Sequence, residues 1–137
     1  MSSTTYDALL AMVDRENSKV DSIVRQLSKS AKWWKVLFKM LLIYKSANSI
    51  LDGISKFEKE RCYDCSIKCE IDTKDNLSKL VNYLTITNSI MEKTPGAKYL
   101  MPLFAKVLAD CENKLENYWI ATDSEVKEFA MKLSARI

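Results

Sequence analysis

The cysteines are the first residues whose type and spacing suit chemistry. Cys62, Cys65 and Cys69 follow one another as C-x2-C-x3-C, and Cys111 stands apart. A C-x2-C pair is a common half of a zinc or iron–sulfur site, and Cys111 offers a fourth thiolate. The second C-x2-C of such a site is missing. Were 62–69 helical, Cys62 and Cys69 would lie about 10 Å apart along the axis. One metal with two Zn–S bonds of about 2.3 Å would barely reach both. A shared metal therefore needs this segment to be a loop; a redox-active or disulfide pair is a further alternative. The plainer expectation is four reduced thiols, no metal and no other cofactor, with Cys111 a small core residue.

Lysines and aromatics form the second candidate. Between Asp21 and Asp52 there is no acidic residue, while Arg25, Lys29, Lys32, Lys35, Lys39 and Lys45 are all basic. Lys32, Lys35 and Lys39 fall at i, i+3 and i+7, one narrow helical stripe. Around them run Trp33, Trp34, Val36, Leu37, Phe38, Met40, Leu41, Leu42, Ile43 and Tyr44. Three uses compete for this segment. A central bundle helix would be apolar on every side but the lysine slot. A membrane-surface helix would set Trp and Lys at the headgroups of anionic lipid. A protein-binding surface would use Trp33, Trp34 and Tyr44 as anchors. Nucleic acid is the weakest reading, since one Arg lies in the basic segment and acids elsewhere repel phosphate.

Carboxylates are the third candidate. Asp110, Glu112 and Glu116 share one helical stretch, and Glu58, Glu60 and Asp64 lie just before and among the cysteines. Their spacing is generic and reads as solvated helix surface. The chain has no histidine. That removes the commonest general base, the Ser-His and Cys-His nucleophile pairs and every His-containing metal site. With 2 glycines and 2 prolines, the phosphate-cradling loops of P-loop and dinucleotide-binding folds are absent too. The same scarcity argues against sandwiches and barrels, whose turns need Gly at positive φ.

These residues must be positioned by helices. The chain has 137 residues, 47% hydrophobic and 28% charged, an ordinary balance for one globular domain spanning 1–137. Tyr6, Val13, Val20 and Leu27 recur every seven residues, beside Leu10, Asn17, Val24 and Ala31. This spacing predicts a helix over 4–28, with Asn17 a partly wet seam position first and a register-setting polar contact second. Ser30 is placed to cap a second helix over 31–59, with Gly53 at a kink or a close helix contact. Thr73 reads as the N-cap of a third helix over 74–93. Thr94-Pro95-Gly96 marks a turn, and a fourth helix covers 101–120, with a short helical turn at 97–101 as an option. Thr122 and Glu125 form a capping box for a last helix over 123–136.

The expected fold is an all-α bundle of four to five amphipathic helices, with the second central. Leu41 to Phe57 should be core and the Trp33–Trp34 end partly exposed. No run of 18 apolar residues suggests a membrane span, and no secretory signal is evident, so a soluble cytoplasmic or membrane-peripheral protein is expected. The function reading is a non-enzymatic interaction module of adaptor, inhibitor or immunity-protein type. Another protein is the first partner, an anionic membrane the second, and a homo-oligomer is compatible. Its contact residues would be Trp33, Trp34, Lys32, Lys35 and Lys39. A thiolate metal or redox sensor is the third reading.

Overall fold

In the computed structural model, residues 3–30, 32–60, 67–118 and 130–135 are described. Four long helices form a bundle: α1 (Ser3–Leu27), α2 (Trp33–Glu60), α3 (Ile67–Met91) and α4 (Met101–Leu115). A single 3-10 turn, Ala97–Tyr99, leads into α4. There is no strand among the described residues. Residues 130–135 are helical and exposed. The rest of the helix expected over 123–136, and the capping box at Thr122, lie outside the described residues.

The helices pack as two hairpins. α1 runs antiparallel to α2, and α3 to α4, with short turns between them. The hairpins then meet with α1 beside α3 and α2 beside α4. α2 touches all three other helices, most extensively α1, and only brushes α3, which lies diagonally across the bundle. Its inner face explains this position. Val36, Met40, Ile43, Ala47, Ile50 and Ile54 recur at alternating spacings of four and three, and all are buried. They meet Val13, Val20, Val24 and Leu27 of α1, Leu77, Leu80 and Leu84 of α3, and Phe104 and Val107 of α4 in one core.

Both turns that close the hairpins lie at one end of the molecule. Thr94-Pro95-Gly96 turns as its sequence requires, and Gly96 takes φ 80, where a side chain is strained. A Cβ built on Gly96 would stand 3.8 Å from Leu37 and 4.0 Å from Trp33, so this turn rests on the start of α2. Gly53 marks the close approach of α1 to α2. A Cβ there would collide with the end of the Met12 side chain and stand 3.3 Å from Val13.

The structure corrects several local expectations. Ser30 does not cap α2. Its hydroxyl donates to the Gln26 carbonyl at 3.1 Å and accepts from Lys39 Nζ at 2.7 Å, closing the end of α1 instead. The third helix starts at Ile67, not at 74, and Thr73 lies inside it, fully buried. α4 ends at Leu115, five residues short of the expected 120, with backbone turns through Tyr118. Asn17 is not a wet seam position. It is buried, and its side-chain amide donates to Asn76 Oδ1 at 2.7 Å and to the Asn76 carbonyl at 3.0 Å. Leu41 and Leu42 are not core but open to solvent. Helix geometry gives the reason: with Met40 and Ile43 facing inward, 41 and 42 turn about 100° and 200° past Met40.

Candidate functional site

Among the described residues, the outward face of α2 departs clearly from an ordinary solvated helix surface. Trp34, Phe38, Leu41 and Leu42 stand 51%, 61%, 48% and 37% exposed. Their spacing of i, i+4, i+7 and i+8 sets them in one row, because residues three and four apart share a helix face. The row begins at the first turn of α2 and ends at exposed Lys45. Beyond it the same face turns polar with Asn48, Ser49, Asp52 and Lys56. Four large apolar side chains side by side are the feature that marks contact surfaces, whereas single exposed ones are normal.

Cations border the row. Lys32 Nζ lies 5.8 Å and Lys35 Nζ 5.6 Å from the Trp34 ring centroid, within cation–π range. On the other flank, Leu42 and Lys45 lead into a shallow groove of about 480 Å³ between α1 and α2, shared with Ile23, Ser46, Glu16 and Lys19. Trp33 is 56% exposed, but it leans toward the Gly96 turn rather than along the row. Lys39 differs from Lys32 and Lys35: it is half-buried and held by Ser30 at the α1–α2 seam. The expected contact set is thus divided. Trp34, Lys32 and Lys35 gather at the row, Trp33 sits beside it, and Lys39 is occupied within the fold.

Sequence reasoning missed Phe38, Leu41 and Leu42 as surface residues. The first half of α2 is apolar around most of its circumference, so periodicity there does not say which side faces in. The regular stripe further on, Ala47, Ile50, Ile54 and Phe57, carries that information when extended backwards through Ile43 and Met40.

Of the other candidates, Cys111 and Glu58 are engaged within the fold. Cys111 is fully buried on α4. Burial, then the neighbouring Asp110 and Glu112 carboxylates, push its thiol up to about 12. That makes it a poor nucleophile and a poor ligand. Cys62 and Cys65 lie outside the described residues, and the side chain of Cys69, on α3, does too. Among the described residues no three His, Cys, Asp or Glu side chains gather where they could hold a metal. Glu58 pairs with Lys114 at 2.8 Å, tying α2 to α4, while Asp110, Glu112 and Glu116 are solvated. A second, polar groove of about 250 Å³ between α1 and α3 holds Asp14, Asp21, Arg25, Lys79 and Tyr83. Its central charges satisfy each other: Asp21 accepts from Arg25 at 3.0 Å. Burial, and then the Asp21 carboxylate, hold the Tyr83 hydroxyl above its usual range.

No helix among the described residues is long and apolar enough to cross a membrane. Compared with known protein families, curated proteins and solved structures, the chain matches none.

Proposed function

We propose that this chain is a non-enzymatic helical docking module that works through the outward face of α2. One observation carries the reading: the contiguous exposed row Trp34, Phe38, Leu41 and Leu42, set on a helix whose opposite face is anchored in the core. Each of these side chains is about half exposed, so leaving the row uncovered forgoes roughly half of the 1.5–3 kcal/mol that full burial of such a side chain returns. A fold with a full apolar inner face gains nothing from a second one unless something covers it. The rigid bundle presents the row already ordered, which lowers the entropic cost of binding.

The test is site-specific photocrosslinking in cells. A photoreactive residue replaces Leu41 on the face, or Ala109 on the exposed side of α4 as control. A crosslinked product, protein or lipid, that forms from position 41 and not from 109 is the expected result. Equal yields from both positions, or none from position 41, would remove the docking reading.

A further inference from the structure

We infer that the surface that covers this face is an anionic lipid bilayer, with the first three turns of α2 lying in the headgroup region. The inference rests on the docking reading and adds its partner. Its ground is the juxtaposition of the apolar row with lysines and the absence of any acid on the part of α2 that carries it, before Asp52. From Ser22 to Leu51 the chain has six basic residues and no acidic one. From Lys29 onward every one of them is lysine. Protein interfaces favour Arg and disfavour Lys, because a flexible ammonium must be immobilised against a fixed acceptor. A fluid lipid surface brings its phosphates to the lysine, so that ordering cost falls away. The second turn of the fold adds to the same field. Lys93 and Lys98 are exposed beside the start of α2, next to the 87%-exposed ring of Tyr99, and Glu92 is the acidic residue of that turn.

The row's dimensions agree. From Trp34 to Lys45 it runs about 16 Å at 1.5 Å per residue, far short of a bilayer core of about 30 Å. Such a length suits a helix lying in the interface plane, its apolar side chains sunk roughly 5–10 Å. Trp34, with Lys32 and Lys35 over its ring, places an amphipathic ring and two cations at the depth where headgroup phosphates lie. A second copy of the chain is the poorer occupant, because Lys32, Lys35 and Lys45 would then face their own like charges.

The experiment is flotation of the purified full chain with phosphatidylcholine vesicles, with and without phosphatidylserine, at low and at physiological salt. Tryptophan fluorescence follows the same samples. The expected result is flotation with the phosphatidylserine vesicles alone, weakened by salt and accompanied by a blue shift. Each of Lys32→Gln, Lys35→Gln and Lys45→Gln should weaken partitioning by about fivefold, and Phe38→Ser with Leu41→Ser should abolish it. All five positions are exposed, so circular dichroism of the variants should match the parent. The salt series on the unmodified protein stands independently of any variant. No flotation at low salt, equal flotation with neutral vesicles, or indifference to the lysine changes would overturn the lipid assignment. So would a dimer in sedimentation that depends on Phe38 and Leu41. If Leu41 crosslinks to a protein while flotation fails, the lipid assignment falls and the docking reading stands. If neither occurs, both fall.

Discussion

Asn17 occupies a seam position where the seven-residue repeat of α1 calls for an apolar side chain, yet the core closes over it. Its amide joins α1 to α3 through Asn76, and Asn76 in turn donates to the Asp72 carbonyl at 3.0 Å. Asn17 Oδ1 is buried with no hydrogen-bond partner among the described residues, so the contact is only partly compensated. Removing Asn17 leaves Asn76 Oδ1 without the donor it has in the core, and an acceptor stranded in this way costs about 1–3 kcal/mol. Asn17→Ala should lower stability by that amount in urea denaturation. Asn17→Leu combined with Asn76→Leu should recover most of it, since both polar groups leave together. If the double variant is as unstable as the single one, the pair is not what sets the cost. Cys111 gives a prediction in pH. Its thiol ordinarily ionises near 9.0 and in the fold is pushed up to about 12. Between those values the unfolded chain has lost a proton that the native chain keeps. Stability therefore falls as pH rises, at up to about 1.4 kcal/mol per unit from this group. The contribution is whole below the unfolded value and lost above the folded one. Cys111→Ala should be less stable at neutral pH but show a flatter alkaline limb. Parallel curves for the two proteins would mean that Cys111 ionises freely in the fold.

At the scale of elements, α2 has two faces and one glycine that can each be tested. Leu41 reads from sequence as core and proves 48% exposed. Leu41→Asp should therefore leave the protein folded, with stability changed by less than about 0.5 kcal/mol. Met40→Asp, one residue away and fully buried, should unfold it. Thermal melts of the two variants read the difference directly. Gly53 allows α1 and α2 to approach closely, at a cost of about 1 kcal/mol in helix propensity relative to Ala. The obstacle to a Cβ is chiefly the flexible end of Met12, with Val13 close behind. Gly53→Ala should thus be near neutral alone and stabilising by up to about 1 kcal/mol in a Met12→Ala background. The same change in both backgrounds would show that Met12 is not what opposes it. These elements also show what the sequence could reveal. α1 and α2 were legible because their stripes are mostly apolar and no Gly or Pro interrupts the turns that carry them, Gly53 aside. The start of α3 was not. Its inner stripe carries Thr73, Asn76 and Thr87, all buried, and a Thr before a polar run reads as a cap. Thr87 is accommodated by donating to the Tyr83 carbonyl at 2.8 Å, a local solution that leaves no mark on periodicity. Of the candidate face, Trp34, Lys32 and Lys35 were visible as residue types. Its orientation was hidden locally, since the first half of α2 is apolar around most of its circumference, and only the stripe Ala47, Ile50, Ile54 and Phe57, extended back through Ile43 and Met40, shows which side faces in.

At the scale of the molecule, the question is whether the two hairpins are one cooperative unit. α1 and α2 share the longest interface, which would let them persist alone, but their inner faces are completed from the other hairpin. Phe104 of α4 is fully buried and meets the Tyr44 ring at 5.8 Å. Leu77, Leu80 and Leu84 of α3 close the α1 side of the same cluster. Two polar ties cross the divide as well, Asn17 to Asn76 at one side and Lys114 to Glu58 at the other. The ion pair contributes little, since both side chains remain about one-quarter exposed and such pairs are worth about 0–1 kcal/mol. Apolar burial across the junction is therefore the main bond between hairpins. Phe104→Ala should cost about 3–5 kcal/mol, a large share of the 5–15 kcal/mol typical of a whole domain. Because the lost contacts lie on the junction, the hairpins should still unfold together in a single lowered transition. Far-ultraviolet circular dichroism and the near-ultraviolet signal should report the same midpoint, and amide exchange in α1 should quicken along with that in α4. If α4 amides exchange faster while α1 and α2 stay protected, the first hairpin is a stable unit without the second. The face on α2 would then be carried by that hairpin alone.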